Sequence, residues 1–111
     1  MTPPPLPTER RIDNAKLVGY LLHPVNSRGK FGHFSRYGFV QENWETLRDC
    51  LLEHAQNCPV VSVVATAFGT KYIVTGPLRT PSGRIPPPVV SAVWQQDSGS
   101  VGVRLITAYP G

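Results

Sequence analysis

The sequence predicts an α+β fold in which three N-terminal helices pack on a four-stranded antiparallel meander sheet. Apolar residues recur at three- and four-residue spacing before Pro59, which is typical of amphipathic helices. After Pro59 the chain becomes rich in β-branched residues that alternate with polar ones, and turn residues separate the segments. Helices followed by strands are typical of an α+β domain with helices on one sheet face. We therefore expect every helix before Pro59 and every strand after it.

The helical half contains three segments with capping or breaking residues at their ends. Helices are predicted over residues 13–22, 30–37 and 41–56. Asp13 or Asn14 can cap the first, and Gly38 suits a left-handed cap after the second. Trp44 opens the apolar stripe of the third helix, and we expect it to anchor that helix in the core.

The second half contains four predicted strands, and the last of them carries most of the functional interpretation. They span residues 60–67, 71–75, 89–95 and 101–110. Strict alternation would place Val103, Leu105, Thr107 and Tyr109 on one face, so that two hydroxyl groups lie side by side. The sequence does not decide whether that face is the open one.

Length and composition indicate one small domain. The chain has 111 residues, enough for a single core. Residues 1–11 are predicted as a flexible, proline-rich leader, and residues 12–110 as the α+β domain. The N-terminus lacks the features of a signal peptide, and no apolar run is long enough for a membrane span. A cytoplasmic protein without membrane contact is therefore expected.

Net charge and cysteine content restrict the partners and cofactors that we expect. The net charge is +4, carried mainly by arginine, which suits phosphate contacts but is equally compatible with a basic, soluble surface. Cys50 and Cys58 make neither a metal site nor a disulfide framework, so no cofactor and no metal are expected. Cys50 is interpreted as a small core residue.

A set of short phrases along the chain resembles a known group of domains. The phrases include Lys16-Leu-Val-Gly-Tyr-Leu-Leu, Gly29-Lys30, Phe68-Gly-Thr-Lys-Tyr72, Gly83-Arg84 and Leu105-Ile-Thr-Ala-Tyr-Pro110. Their order over residues 12–110 resembles a family of small uncharacterised bacterial domains that end in a Thr-Ala-Tyr-Pro strand. Members of that family occur beside small antitoxin-like partners or at the tips of larger toxin-like proteins.

The layout is also similar, more distantly, to the ribonuclease superfamily of barnase, RelE-type mRNA interferases and some colicin nucleases. This resemblance implies a toxin-type, metal-independent ribonuclease, with RNA as substrate and an antitoxin or immunity protein as partner. The alternative is a non-catalytic protein-interaction module of a phage, toxin–antitoxin or defence system. The absence of an obvious acid–base pair favours the module, whereas the basic charge and the terminal Thr-Ala-Tyr-Pro favour the enzyme.

RNA cleavage without a metal needs an acid–base pair and cations on the phosphate, which defines the candidate residues. His23 lies in a loop with basic neighbours and is the best-placed histidine, whereas His33 is expected at the surface and His54 in the core. Lys30 follows Gly29 at a helix start, where backbone N–H groups can also hold phosphate.

The remaining candidates come from the first helix, the long connection and the last strand. By analogy with the ribonucleases, Thr107 and Tyr109 would orient phosphate or base; packing within the sheet is the alternative. Lys16, Arg84 and Arg104 are the candidate substrate-binding residues. Lys16 could instead be a structural lysine whose stem lies along the apolar helix face.

Overall fold

The computed structural model describes residues 4–26, 29–83 and 85–111, and it confirms a mixed α+β fold. The helices precede the long strands, as predicted, and the chain ends in the sheet. The elements are β1 (Arg10–Arg11), α1 (Asn14–Lys16), a π-helix (Leu17–Leu21), α2 (Lys30–Arg36), a 3₁₀ turn (Gln41–Asn43), α3 (Trp44–Asn57), β2 (Val60–Thr66), β3 (Gly69–Pro77), β4 (Val89–Asp97) and β5 (Val103–Pro110).

The sheet has five strands in the order β1-β5-β4-β3-β2, which corrects the predicted four. Strands β2 to β5 form the expected antiparallel meander, but β1 pairs parallel with β5 and precedes Pro59. The Val103 N–H donates to the Glu9 carbonyl at 2.8 Å. Gly102 permits this approach, because a Cβ there would lie 2.7 Å from the same oxygen. Two residues are too few to show alternation, so periodicity could not indicate this strand.

The predicted leader contributes to the packed domain. Leu6 is only 6% exposed and belongs to the core, and the Arg10 Nε donates to the Pro7 carbonyl at 2.9 Å. Packed structure therefore begins several residues before position 12, where the domain was expected to start.

The first predicted α-helix is instead a single α-turn followed by the π-helix, which is a correction. The Leu22 N–H bonds to the Leu17 carbonyl at 2.8 Å, five residues back rather than four. The apolar spacing of Leu17, Leu21 and Leu22 fits either helix type, and all three are fully buried. The second helix ends as predicted, with Gly38 left-handed at φ 96°.

The core brings side chains of the helices together with side chains of the sheet. Its largest buried side chain is Trp94 on β4, with Phe34 of α2 and Leu47 and Leu51 of α3 also buried. Trp44 is half-buried and packs against the margin of the core, with the Arg48 guanidinium 5.3 Å from its ring centroid, so it anchors α3 only in part.

A β-bulge in β5 determines which of its side chains face the helices. Trp94 pairs with Leu105 and Val93 with Thr107, which leaves Ile106 as an extra residue. Leu105 therefore shares the face of buried Trp94, whereas Thr107 and Tyr109 lie opposite Val93 and Ser91 on the other face. The predicted grouping of Leu105 with Thr107 and Tyr109 is wrong, because strict alternation does not hold across a bulge.

Candidate active site around Tyr20

The π-helix presents Tyr20 at the outer edge of β5. A π-turn leaves carbonyl groups without their usual helical hydrogen-bond donors. Side chains from other segments donate to these carbonyls instead. The Gln41 Nε2 donates to the Val18 carbonyl at 2.8 Å, and the Asn26 Nδ2 to the Gly19 carbonyl at 3.4 Å. Strand β1 pairs with β5 only at Val103 and Arg104, so β5 beyond them borders the helical segment. π-Turns are frequent at functional sites.

Two lysines and one hydroxyl converge on the Tyr20 side chain. The Lys16 Nζ lies 5.3 Å from the ring centroid, and the Lys30 Nζ lies 5.5 Å from it. The Thr107 hydroxyl donates to the phenol oxygen at 3.4 Å, which is long for an O–H···O bond. We call Lys16, Tyr20, Lys30 and Thr107 the Tyr20 cluster. Because this bond is long, a ligand oxygen could replace either the Thr107 hydroxyl or the Tyr20 phenol oxygen in it at little cost in free energy.

The Tyr20 cluster carries positive charge without a carboxylate. In the part of the chain that the structure describes, every ion pair uses an arginine, and neither Lys16 nor Lys30 takes part in one. The Thr107 hydrogen bond and the nearby Lys30 and Lys16 ammonium groups lower the pKa of Tyr20, against a smaller opposing effect of burial. An environment that stabilises a phenolate also favours another anion at the same position.

The Tyr20 cluster can hold a tetrahedral oxyanion such as a phosphate. Two ammonium groups supply charge and rotatable N–H donors, while the hydroxyls of Tyr20 and Thr107 supply directional hydrogen bonds. Lys30 begins α2 directly after Gly29, whose φ of 89° turns the chain into the helix. The lysines thus come from two helical segments and the threonine from the sheet.

Three predicted site residues therefore meet, and the residue between them was missed. Lys16, Lys30 and Thr107 were selected from the sequence, whereas Tyr20 was not, and the structure places these three residues around it. The spacing of Lys16 and Tyr20 by four residues places them on one helix face, and this was the available signal.

His23 and Tyr109 occupy other surroundings. The His23 Nδ1 accepts hydrogen bonds from the backbone N–H groups of Val25 and Asn26 at 3.1 and 3.0 Å, so this atom closes the loop after the π-helix. Its Nε2 is the atom left for other chemistry. Tyr109 lies opposite Ser91 and is 36% exposed, on the same face of the sheet as Thr107.

Arg104, a predicted substrate-binding residue, is bound elsewhere than in the Tyr20 cluster. Arg104 pairs with Asp97 through bonds of 2.9 and 3.3 Å, which lower the pKa of that carboxyl group. The pair lines a polar pocket of about 380 Å³ with Glu9 and Arg11. Owing to the bulge, Arg104 lies opposite Gln95 and shares the sheet face of Thr107. Arg84 lies outside the described residues.

Comparison with known proteins gives the chain a family. None of its described helices combines the length and the apolar character needed to cross a bilayer. Searches of curated proteins and of solved structures found no match. The profile of a family described as a domain of unknown function, DUF6883, matches residues 7–111. The match covers nearly the whole sequence and begins within the predicted leader, where the packed structure also begins. The chain belongs to the DUF6883 family of domains.

Proposed function

We propose that this domain is a toxin-type endoribonuclease that cleaves RNA without a metal ion at the Tyr20 cluster. The observation that carries the proposal is the convergence of Lys16, Lys30 and Thr107 on one phenol, with no carboxylate paired to either lysine in the described structure. A site that holds a phosphodiester needs uncompensated cations together with hydrogen-bond donors, and this cluster supplies both.

The reaction proposed is transesterification within the RNA chain. The 2′-oxygen of one nucleotide attacks the adjacent phosphorus while the bond from phosphorus to the 5′-oxygen breaks, which yields a 2′,3′-cyclic phosphate and a 5′-hydroxyl. Negative charge grows on the non-bridging oxygens as the phosphorus becomes five-coordinate. Lys16 and Lys30 would stabilise that charge, and the Thr107 hydroxyl would fix the position of the phosphate.

Proton transfer requires a group to take the 2′-hydroxyl proton and a group to protonate the leaving 5′-oxygen. Tyr20 would fill the first role, because the Lys16 and Lys30 ammonium groups lie 5.3 and 5.5 Å from its ring centroid and favour the phenolate form. The Nε2–H of His23 would hydrogen-bond to the leaving 5′-oxygen, which would take its proton from water, since Nδ1 already accepts from two backbone N–H groups and the proton of the ring is therefore on Nε2. Tyr109 and Arg104 would contact flanking nucleotides along the sheet face that they share with Thr107.

An acidic inhibitor protein is the proposed partner. A nuclease with a net charge of +4 and a cationic site would be neutralised by carboxylates that occupy the phosphate position. Co-expression with a small acidic protein encoded beside it should then restore growth to cells that the domain alone harms.

The test is cleavage of a fluorescent single-stranded RNA in the presence of EDTA. We expect wild type to release fragments with a 2′,3′-cyclic phosphate, and Lys30→Ala, Tyr20→Phe and Thr107→Val to lose about 10²-fold or more in rate, the size of effect for one acid–base or oxyanion group. Melting temperatures should stay near wild type, because the cluster lies outside the buried core.

Lys71→Ala is the matched control, because it removes a lysine from β3 and should keep full activity. An RNA with 2′-deoxyribose at the cleaved position should resist the enzyme. If wild-type protein neither cuts RNA nor binds it with salt dependence, the ribonuclease proposal is wrong and a non-catalytic interaction module takes its place.

A further inference from the structure

The two edges of the sheet differ in how they are protected from other strands. At one edge, β1 is two residues long and consists of Arg10 and Arg11, and charge and shortness both discourage pairing. At the other edge, β2 is seven residues long, Val60–Thr66, and contains no charged residue and no proline. A long, uncharged edge strand is a template for another strand.

Three large apolar side chains on or beside β2 are exposed. Val61 is 53% exposed, Val64 is 47% exposed, and Phe68 in the following turn is 76% exposed. The nearest charged residue by pairing is Lys71, which lies opposite Val64 but one strand further in, on β3. A second strand could therefore approach β2 without meeting a charge on the edge itself.

The hairpin that joins β2 to β3 fixes which backbone groups point outward. Thr66 and Gly69 close a two-residue turn and form a hydrogen-bonded pair, as the closing residues of such a hairpin do. Hydrogen-bonded and non-bonded pairs alternate along an antiparallel ladder, so Ser62 and Val64 direct their N–H and C=O groups toward β3. Val63 and Ala65 direct theirs away from the sheet, toward the open edge.

We propose that two copies of this chain pair through β2, antiparallel, with Val64 of one copy directly opposite Val64 of the other. In this register the outward-pointing backbone groups of Val63 in one copy meet those of Ala65 in the second copy. The bulge near Val61 lies beyond these bonds, so it does not interrupt them. The result is one continuous sheet that runs through both molecules.

A second copy suits this edge because the strand is compatible with itself. Each copy carries a net charge of +4, and like charges directly opposite one another on paired strands are destabilising. A strand without charged residues lets two such copies approach without that penalty. The same register brings the exposed Phe68 of each copy beside Val60 and Val61 of the other, so one arrangement covers the apolar residues of the edge.

This inference is independent of the ribonuclease proposal, because it concerns β2, which β3 and β4 separate from β5 in the sheet. The first experiment is sedimentation of the full chain over a range of concentrations. Wild type should sediment with twice the mass of one chain, and Val64→Lys, which sets two like charges opposite each other, should sediment as a monomer that circular dichroism shows to be folded. Val89→Lys makes the same change at a valine 50% exposed on β4 and should remain dimeric.

A second experiment tests the register. Directly opposed residues in a non-hydrogen-bonded antiparallel pair lie close enough for a disulfide. Val64→Cys should therefore form a covalent dimer on mild oxidation, whereas wild type, with its own Cys50 and Cys58, and Val89→Cys should not. A wild-type protein that stays monomeric, or a Val64→Lys protein that still sediments as a dimer, would overturn the proposal. Equal cross-linking of the two cysteine variants would overturn the register.

Discussion

His54 is a buried histidine that ties α3 to two strands. Its Nε2 lies 2.8 Å from the Val90 carbonyl and 3.2 Å from the Gly76 carbonyl, and the residue is 2% exposed. Two carbonyl acceptors require a proton on Nε2, so the other ring nitrogen, buried without a described partner, carries none in the neutral ring. Burial lowers the pKa of His54 despite the two carbonyl contacts. The expectation of a core histidine is thereby confirmed.

We predict that the free energy of unfolding falls as the pH is lowered through about 6.5, the ordinary histidine pKa. Below that pH the unfolded chain takes up a proton that folded His54 resists, so the unfolded state gains stability. Urea denaturation at several pH values above and below this point would measure the slope. His54→Gln keeps a donor but cannot titrate, and it should have a shallower slope. Equal slopes for both proteins would assign the effect to other groups.

At the scale of single residues, the sequence indicated the residues that surround Tyr20 but not Tyr20 itself. Lys30 and Thr107 were selected because of a helix start and a terminal strand, features that the sequence carries locally. Tyr20 could not be selected in that way, because its role depends on contacts with residues far along the chain, such as Thr107. His23 was selected for its chemistry, but its use as a loop acceptor depends on the fold of residues 24–26.

At the scale of elements, the two tryptophans show how differently similar residues support the fold. Trp94 on β4 is fully buried, and its neighbours across the sheet are Tyr72 and Leu105. Trp44 at the start of α3 packs only partly against the core, and its ring is also covered by Arg48.

We predict that Trp94→Ala lowers the free energy of unfolding by about 3–5 kcal/mol, the range for large buried aromatics. Trp44→Ala should cost about 1 kcal/mol, close to the average for a point substitution. Chemical denaturation of both variants measures the difference directly. Similar losses would mean that Trp44 contributes more to packing than its exposure indicates.

The π-helix is one element that the sequence could not specify. Three apolar residues at positions 17, 21 and 22 satisfy α-helical and π-helical spacing alike, so periodicity does not separate the two. The choice depends on tertiary contacts, including the amide of Gln41 on the Val18 carbonyl. That amide is 23 residues away along the chain. The long strands, by contrast, were predicted because their signal lies within each segment.

At the scale of the whole molecule, the N-terminal residues are part of the domain. Leu6 is buried in the core, and the Glu9 carbonyl binds the Val103 N–H at the start of β5. The N-terminal segment and the start of the last strand therefore meet at one edge of the sheet.

We predict that Leu6→Ala lowers the free energy of unfolding by about 2 kcal/mol, the lower end for truncation of a buried leucine. Pro4→Ala changes an exposed residue nearby and should have little effect. Thermal or urea denaturation of the two variants distinguishes a packed segment from a flexible leader. Equal stability of the two variants and wild type would restore the flexible-leader interpretation.

The overall architecture follows from the sequence because helical and alternating patterns occupy separate halves of the chain. The additional strand and the bulge do not follow, because each is decided by pairing between distant segments. The bulge bears more directly on the candidate site, since it places Arg104, Thr107 and Tyr109 on the same face while Leu105 and Ala108 remain buried.

The bulge also makes β5 one residue longer than its ladder with β4 requires. A chain that lacked Ile106 could keep every remaining β5 side chain on its present face, yet it would lose the local bend that a bulge introduces. The part of β5 that carries Thr107 would then run straighter past Tyr20. Members of the family that have no residue between the leucine and the threonine of the last strand would therefore keep the fold but not the site. Members that have this residue would keep both.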